Sequence, residues 1–228
     1  MKRSEINAII RDADAFFNER SFYLPPFAYW RPEDWATMGP EAGEIVDHGL
    51  GWDITDFGQG DYRNLGLFLF TLRNGTPENL RSKQGKIYAE KIMIVDPDQV
   101  TPMHFHWDKT EDIINRGGGN LVIRLYNATK DGELAESPVS VSMDGVRRIV
   151  SAGEAVILTP GESITLPPYL YHSFWGMGSR VLVGEVSAVN DDQEDNRFYQ
   201  PIGRFPDIIE DEPLLYLLVN DYADYYRP

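Results

Sequence analysis

The stretch TPMHFHWDKTEDIINRGGGN, residues 101–120, sets two of the chain's four histidines on alternate positions and places Glu111 five residues after the second. Successive side chains of a strand point to opposite faces, so His104 and His106 share one face while Phe105 takes the other. Two imidazoles therefore converge without any special loop. Trp107-Asp108-Lys109-Thr110 then reads as a turn, and Glu111 opens a returning strand that brings its carboxylate beside them.

The neighbouring runs have the same β texture. LGLFLFTL (65–72), KIYAEKIMIV (86–95), NLVIRLYNA (120–128), PVSVSM (138–143), RRIVSA (147–152), AVILTP (155–160), SITLPP (163–168) and RVLVGEVSAV (180–189) are separated by Gly, Pro and Asp at short intervals. Many short strands with turn signals between them predict an all-β sandwich or barrel. A doubly wound fold would need helices in these gaps, where no helical spacing occurs. Before the strands, Ile6, Ile9, Ile10, Ala13, Phe16 and Phe17 recur at helical spacing over residues 4–18, with Ser4 as the expected N-cap. FYLPPFAYWRPEDW (22–35) is aromatic and proline-rich, and Pro32 suits the first position of a short helix. After Pro213, LLYLLVNDYADYY reads as a closing helix. The expectation is one domain: an extension over 1–64, a β core over 65–190, and a C-terminal segment with its helix over 191–228.

The composition narrows the partners. With 42% hydrophobic and 25% charged residues the chain is ordinary for a globular protein, and no apolar run approaches the roughly 20 residues that span a bilayer. A formal charge of −15 repels phosphate backbones and anionic lipids, so neither nucleic acid nor a membrane is expected as a partner, and a neutral small molecule fits best. The first seventeen residues carry charges that interrupt every apolar stretch, unlike a secretory signal. Together with the lack of cysteine this predicts a cytoplasmic protein, in which any metal is held by His and carboxylate.

A third imidazole is available at His172, in LPPYLYHSFWG (166–176). Three nitrogens and one carboxylate oxygen, from His104, His106, His172 and Glu111, bind a divalent first-row ion and leave room for two further ligands in octahedral geometry. Two open positions suit a substrate with adjacent oxygens. The alternative, ordinary polar residues in strands, must treat three of four histidines at ligand spacing as chance. His48, in VDHGLGWD, has no partner at such spacing and reads as a capped or surface histidine.

These residues resemble the two cupin motifs. The first runs from His104 to Gly118 as HxH, four residues, Glu, six residues, Gly; the second has Gly161, Pro167 and then His172. Asp98 stands where the first motif usually has Gly, Tyr169 replaces a Gly of the second, and Gly176 replaces its final Asn. The implied fold is a cupin-type β-barrel, a double-sheet jelly roll, with added N-terminal and C-terminal helices. Over nearly the whole chain, MKRSEINAII, YAEKIMIV, HFHWDKTEDIINRGGGNL, YHSFWG, GEVSAVNDDQEDNRF and GRFPDIIEDEP also resemble the D-lyxose ketol-isomerase family. That resemblance implies interconversion of D-lyxose and D-xylulose, and of D-mannose and D-fructose. It also implies manganese as the usual metal, with Fe²⁺, Co²⁺ or Zn²⁺ as alternatives.

Aldose–ketose isomerisation moves hydrogen between C1 and C2, so a titratable group must stand beside the metal. Lys109 lies in the turn between His106 and Glu111; it either faces the pocket or is a solvated turn lysine. For the proton-transfer carboxylate, GRFPDIIEDEP supplies Asp207, Glu210, Asp211 and Glu212, of which Glu210 is the first choice. Glu185, acidic within the β-run VLVGEVS, competes with it. The aromatics Trp107, Phe174 and Trp175 read as core or as a wall for a sugar face. An iron-dependent oxygenase, a phosphosugar isomerase and a non-catalytic sugar-binding cupin remain as alternatives on the same site. Either the N-terminal arm or the C-terminal helix is expected to make a homodimer contact.

Overall fold

A computed structural model describes residues 1–191 and 194–228. The described residues form eleven strands, β1 (Gly51–Thr55), β2 (Leu67–Arg73), β3 (Tyr88–Val95), β4 (Thr101–His106), β5 (Glu111–Asn127), β6 (Val139–Met143), β7 (Val146–Val150), β8 (Ala155–Leu158), β9 (Ser163–Leu166), β10 (Leu170–Ala188) and β11 (Asn196–Phe198). Every pairing between them is antiparallel.

The two long strands organise the rest. β5 and β10 pair along almost their whole length, yet the register shifts between Met177 and Val181, opposite the Gly117–Gly119 run. There both strands bend and change sheets. On one side of the bend the order is β1-β2-β3-β10-β5-β9-β6-β7. On the other, β4 lies between β10 and β11, and β8 pairs with β5. The result is a double-sheet jelly roll of cupin type. Glycine is required at the bend: a Cβ on Gly118 would stand 2.1 Å from the Arg180 carbonyl oxygen, and one on Gly119 2.2 Å from that of Ser179. Asp98 and Tyr169, at the motif positions usually held by Gly, both adopt left-handed backbone, with φ of 61° each. The turn geometry is thus kept without the residue that makes it cheapest.

Alternation along the strands fills two cores. Leu69, Met93, Val95, Val181 and Val183 point between the two sheets. Phe68, Phe70, Ile92, Ile94 and Leu182 point outward, where α1 (Arg3–Glu19) covers them with Ile6, Ile10, Ala13 and Phe17. Both faces are dry, which is why these strands read as continuous apolar runs rather than alternating ones. Short helices α2 (Pro32–Trp35) and α3 (Gly43–Asp47) link α1 to the sheet, α4 (Pro77–Ser82) links β2 to β3, and α5 (Tyr222–Tyr225) lies near the C-terminus. Among the described residues no helix is long and apolar enough to cross a membrane.

Three expectations are corrected. The sheet begins at Gly51, ahead of residue 65, because β1 pairs with β2 through Trp52 and Ile54. Helix α1 starts at Arg3, and Ser4 does not cap it; the Asp211 carboxylate instead accepts from the Ser4 backbone N–H at 2.9 Å and its hydroxyl at 2.8 Å. The closing helix is reduced to the single turn of α5. Ahead of it the chain bends at Leu215 and Tyr216 and turns over 219–221, with Leu218 bridged to Trp52 and the Val219 N–H donating to the Trp52 carbonyl at 2.9 Å. Leu217 faces Trp35 and Tyr222 while Leu218 faces the α1 core, a two-sided burial that a helical stripe cannot provide.

Gly118→Ala is expected to lower unfolding stability by about 2 kcal/mol or more, since it adds a backbone clash to a positive φ. Gly145→Ala, at φ 80° with open space around it, should cost less. Urea melts of the two variants compare them directly, and equal midpoints would mean that the bend tolerates a side chain.

Candidate active site

The inner faces of the two sheets meet at a polar centre. From β4, His104 and His106 point inward, and His172 follows on the neighbouring β10, paired in register with His104. Their ligating nitrogens lie within 4.8 Å of one another, and all three residues are buried. Glu111, at the start of β5, places Oε1 3.1 Å from His172 Nε2 and 3.4 Å from His106 Nε2. The turn and returning strand expected from the sequence are present, but β4 and β5 do not pair: β10 lies between them and supplies the third imidazole.

Two of the rings are held in one tautomer. A backbone carbonyl can only accept, so His104 Nδ1 donates to the Pro102 carbonyl at 2.7 Å and His172 Nδ1 donates to that of Leu170 at 3.0 Å. Each Nε2 is left with its lone pair, and that of His172 is buried without a hydrogen-bond partner. Burial, joined by repulsion from His172 and His106, holds the His104 imidazole well below the usual histidine value. Burial and then the Lys109 ammonium lower His106 as well. Burial alone would raise the Glu111 carboxyl, but the Lys109 ammonium, followed by His106, holds it well below the usual carboxylate range. Lowered imidazoles at His104 and His106 beside an ionised carboxylate are the protonation states a metal ligand requires. The donor set fits a divalent first-row cation.

Lys109 faces inward. Its backbone is fixed by Asp195, whose carboxylate accepts from the Asp108 N–H at 2.7 Å and the Lys109 N–H at 3.2 Å. Its Nζ lies 2.7 Å from Glu111 Oε2 and 2.8 Å from Glu185 Oε1. Glu185 is paired across the sheet with Lys91 of β3, whose Nζ stands 3.7 Å from the same oxygen. Lys91, Lys109, Glu111 and Glu185 are all at most 4% exposed. All four line a cavity of about 40 Å³ together with the three imidazoles, Phe174 and Phe198. Of the other flanking aromatics, Trp107 packs edge-on against Phe105 and Trp175 lies under the Arg124 guanidinium.

The structure does not bring Glu210 to this centre. Arg3, itself 1% exposed, needs two carboxylates, and takes Glu210 at 2.7 and 2.9 Å and Asp221 at 2.9 and 3.0 Å. Backbone bonds between residues 207–209 and Met1–Arg3 pin the whole acidic run along the start of α1. Asp207, Asp211 and Glu212 stay there with it, and only Glu185 among the acidic candidates reaches the cavity. Sequence reasoning passed over Lys91, Asn190 and Asp195. Lys91 had a signal: in YAEKIMIV it shares the parity of the inward Met93 and Val95, so it is a charge at a core position. His48 proves structural, donating from Nδ1 to the Asn74 carbonyl at 2.7 Å.

A double-sheet jelly roll with three imidazoles and a carboxylate between its sheets defines a cupin with a metal-competent centre. The D-lyxose isomerase family model matches residues 1–222. The D-lyxose/D-mannose isomerase of Escherichia coli O157:H7 is 51% identical over 229 residues, covering 99% of this chain and all of that one. Its counterpart in Serratia proteamaculans is 52% identical over 226 residues, covering 97% and 98%. Cellulomonas parahominis L-ribose isomerase, solved with L-ribose, superposes with a TM-score of 0.58 at 16% identity over 92% of this chain and 98% of that one, a likeness of fold. The chain belongs to the D-lyxose isomerase family, and it is a sugar-isomerising enzyme of the aldose–ketose kind.

The Arg3 hydrogen bond is the leading cause that holds the Glu210 carboxyl below its usual value. A lowered carboxyl contributes stability at neutral pH and loses it as pH falls through the native value. Glu210→Gln should therefore melt below the wild type at pH 7, with the gap closing below about pH 4, while kcat is kept. Thermal melts across pH and one activity assay check both parts.

Proposed function

We propose that the protein interconverts D-lyxose and D-xylulose, and also D-mannose and D-fructose, by proton transfer through a cis-enediol, with Glu185 carrying the proton. The observation behind this reading is the buried chain Glu111–Lys109–Glu185, at 2.7 and 2.8 Å, which sets a second carboxylate beside the imidazole cluster in the same cavity. The sugars follow from the names of relatives that match this chain at 51% and 52% identity from end to end.

His104, His106, Glu111 and His172 would hold a divalent ion, Mn²⁺ in the first instance. When bound, such an ion supplies Lewis-acid stabilisation of negative charge developing on substrate oxygens. The protein's own groups do the rest. Glu185 removes the proton from C2 and, as its conjugate acid, returns it to C1 on the same face, while the O2 hydroxyl gives up a proton and O1 gains one. Lys109 pairs with Glu185 in the resting site and offers its ammonium to the substrate oxygen that gains charge. Phe174 and Phe198 keep bulk water from the transferred proton.

A neutral sugar suits this cavity better than a sugar phosphate. The cations lining it each have an acid beside them: Lys109 and Lys91 share Glu185, and Arg204 pairs with Asp53 at 2.5 Å. A charge already matched leaves little to attract a phosphate. A homodimer in the cytoplasm belongs to the same reading.

Metal-stripped protein should regain D-lyxose isomerisation with added Mn²⁺, and His104→Ala should not. Glu185→Gln should lower kcat by about 10²- to 10⁴-fold, the usual worth of a positioned acid–base group. In D₂O, deuterium should enter product at the migrating position. Its complete absence, with full turnover, would point to a hydride shift and remove the role given to Glu185.

A further inference from the structure

The two buried lysines share a second acceptor. Lys91 Nζ donates to Asn190 Oδ1 at 2.5 Å and Lys109 Nζ donates to the same oxygen at 3.3 Å. Because an ammonium only donates, the amide oxygen must be the atom turned toward them. Asn190 lies just beyond the end of β10, and its own position is set by Asn74. The Asn190 N–H donates to Asn74 Oδ1 at 3.0 Å, and Asn74 Nδ2 donates back to the Asn190 carbonyl at 2.9 Å. Asn74 Nδ2 also donates to the His48 carbonyl at 3.2 Å, while His48 Nδ1 donates to the Asn74 carbonyl. Asn74 is 5% exposed, and both donors of its side-chain amide are used.

We infer that Asn190, clamped by Asn74, is a positioning residue for the isomerisation: its amide oxygen draws Lys91 and Lys109 together and so fixes where Lys109 and Glu185 meet. This inference rests on the roles proposed for Glu185 and Lys109. Two ammonium groups that converge on one carboxylate oxygen repel each other, and a neutral acceptor between them eases that repulsion without changing the charge balance. Lys91 and Lys109 face Glu185 and Glu111, two cations against two anions. An aspartate at position 190 would add a third anion beside the lysines and compete with Glu185 for both of them. The amide is therefore required chemically, and the same shape with a charge should fail.

The test uses the full-length, Mn²⁺-loaded enzyme as Asn190→Asp, Asn190→Ala and Asn74→Ala, each compared with the wild type for kcat, KM for D-lyxose, bound Mn²⁺ per chain and melting temperature. Displacing a reacting group by about 1 Å costs on the order of 10²-fold, so kcat should fall about 10- to 100-fold in both Asn190 variants. KM should stay within about threefold, and metal content should stay at the wild-type level. Asn74→Ala should lower kcat in the same direction through Asn190. The partition of solvent deuterium into product, measured per turnover, should shift in Asn190→Asp, a readout that fold stability alone does not move. Unchanged kcat with a lowered melting temperature would make the strut purely structural and overturn the inference. Lost metal in the Asn190 variants would also overturn it, by assigning the residue to the metal site. Inactivity of the wild type on D-lyxose would instead defeat the functional reading itself.

Discussion

Two lysines and two glutamates sit between the two sheets, and each stands beside a group of opposite sign. An isolated ammonium or carboxylate at this depth costs several kcal/mol even after relaxation. Lys109 lies between Glu111 and Glu185, and Lys91 approaches Glu185 from the facing strand. Each partner comes from a different element: β3, the turn after β4, β5 and β10. No one of these elements can present its charge without the others in register. The polar centre thus helps to specify the packing of the two sheets, as well as serving chemistry.

The apolar parts are arranged to keep that centre dry. Inward residues of β2, β3 and β10 close the space between the sheets, and their outward neighbours need a cover of their own. Helix α1 provides it. Its buried Arg3 then requires Glu210 and Asp221, and Asp211 bonds the first turn, so the C-terminal segment is drawn to the outside of the barrel. Covering the sheet is what takes the acidic run out of contention for the reaction.

Two of the ligands were legible because strand parity needs no tertiary information. His104 and His106 on alternate positions must share a face; Glu111 and His172 join them from β5 and β10, where the motif resemblance, not parity, pointed to them. The β core was legible for a similar reason, in apolar runs broken by turn residues. The end of the chain was not. LLYLLVNDYADYY has helical spacing, yet the bridge to Trp52 keeps its first part from forming a helix, and sequence does not reveal which edge a segment will meet. Glu210 was preferred to Glu185 on the assumption that an acidic cluster faces the site; the decisive fact, a buried arginine two hundred residues away in the chain, is a long-range contact. Asp195 and Asn190 work through hydrogen bonds to distant turns and side chains, so composition carries no sign of them.

The bend in β10 lets one strand supply groups to two sides of the cavity. Before the bend β10 runs beside β4, and contributes His172 to the imidazole wall. After it the same strand runs beside β3, and contributes Glu185 to the opposite wall, with Lys91 as its cross-strand neighbour. Glu111 pairs with Leu166 and Ser187. The imidazoles line one side and Lys109, Lys91 and Glu185 the other, with Glu111 joining the two, 3.1 Å from His172 Nε2 and 2.7 Å from Lys109 Nζ. Under the proposed function, a sugar bound there would meet both sets of groups, as a proton transfer between C1 and C2 needs. The arrangement depends on β5 and β10 crossing from sheet to sheet, so the glycine-lined bend far from the reacting groups is as much a condition of the chemistry as the ligands are.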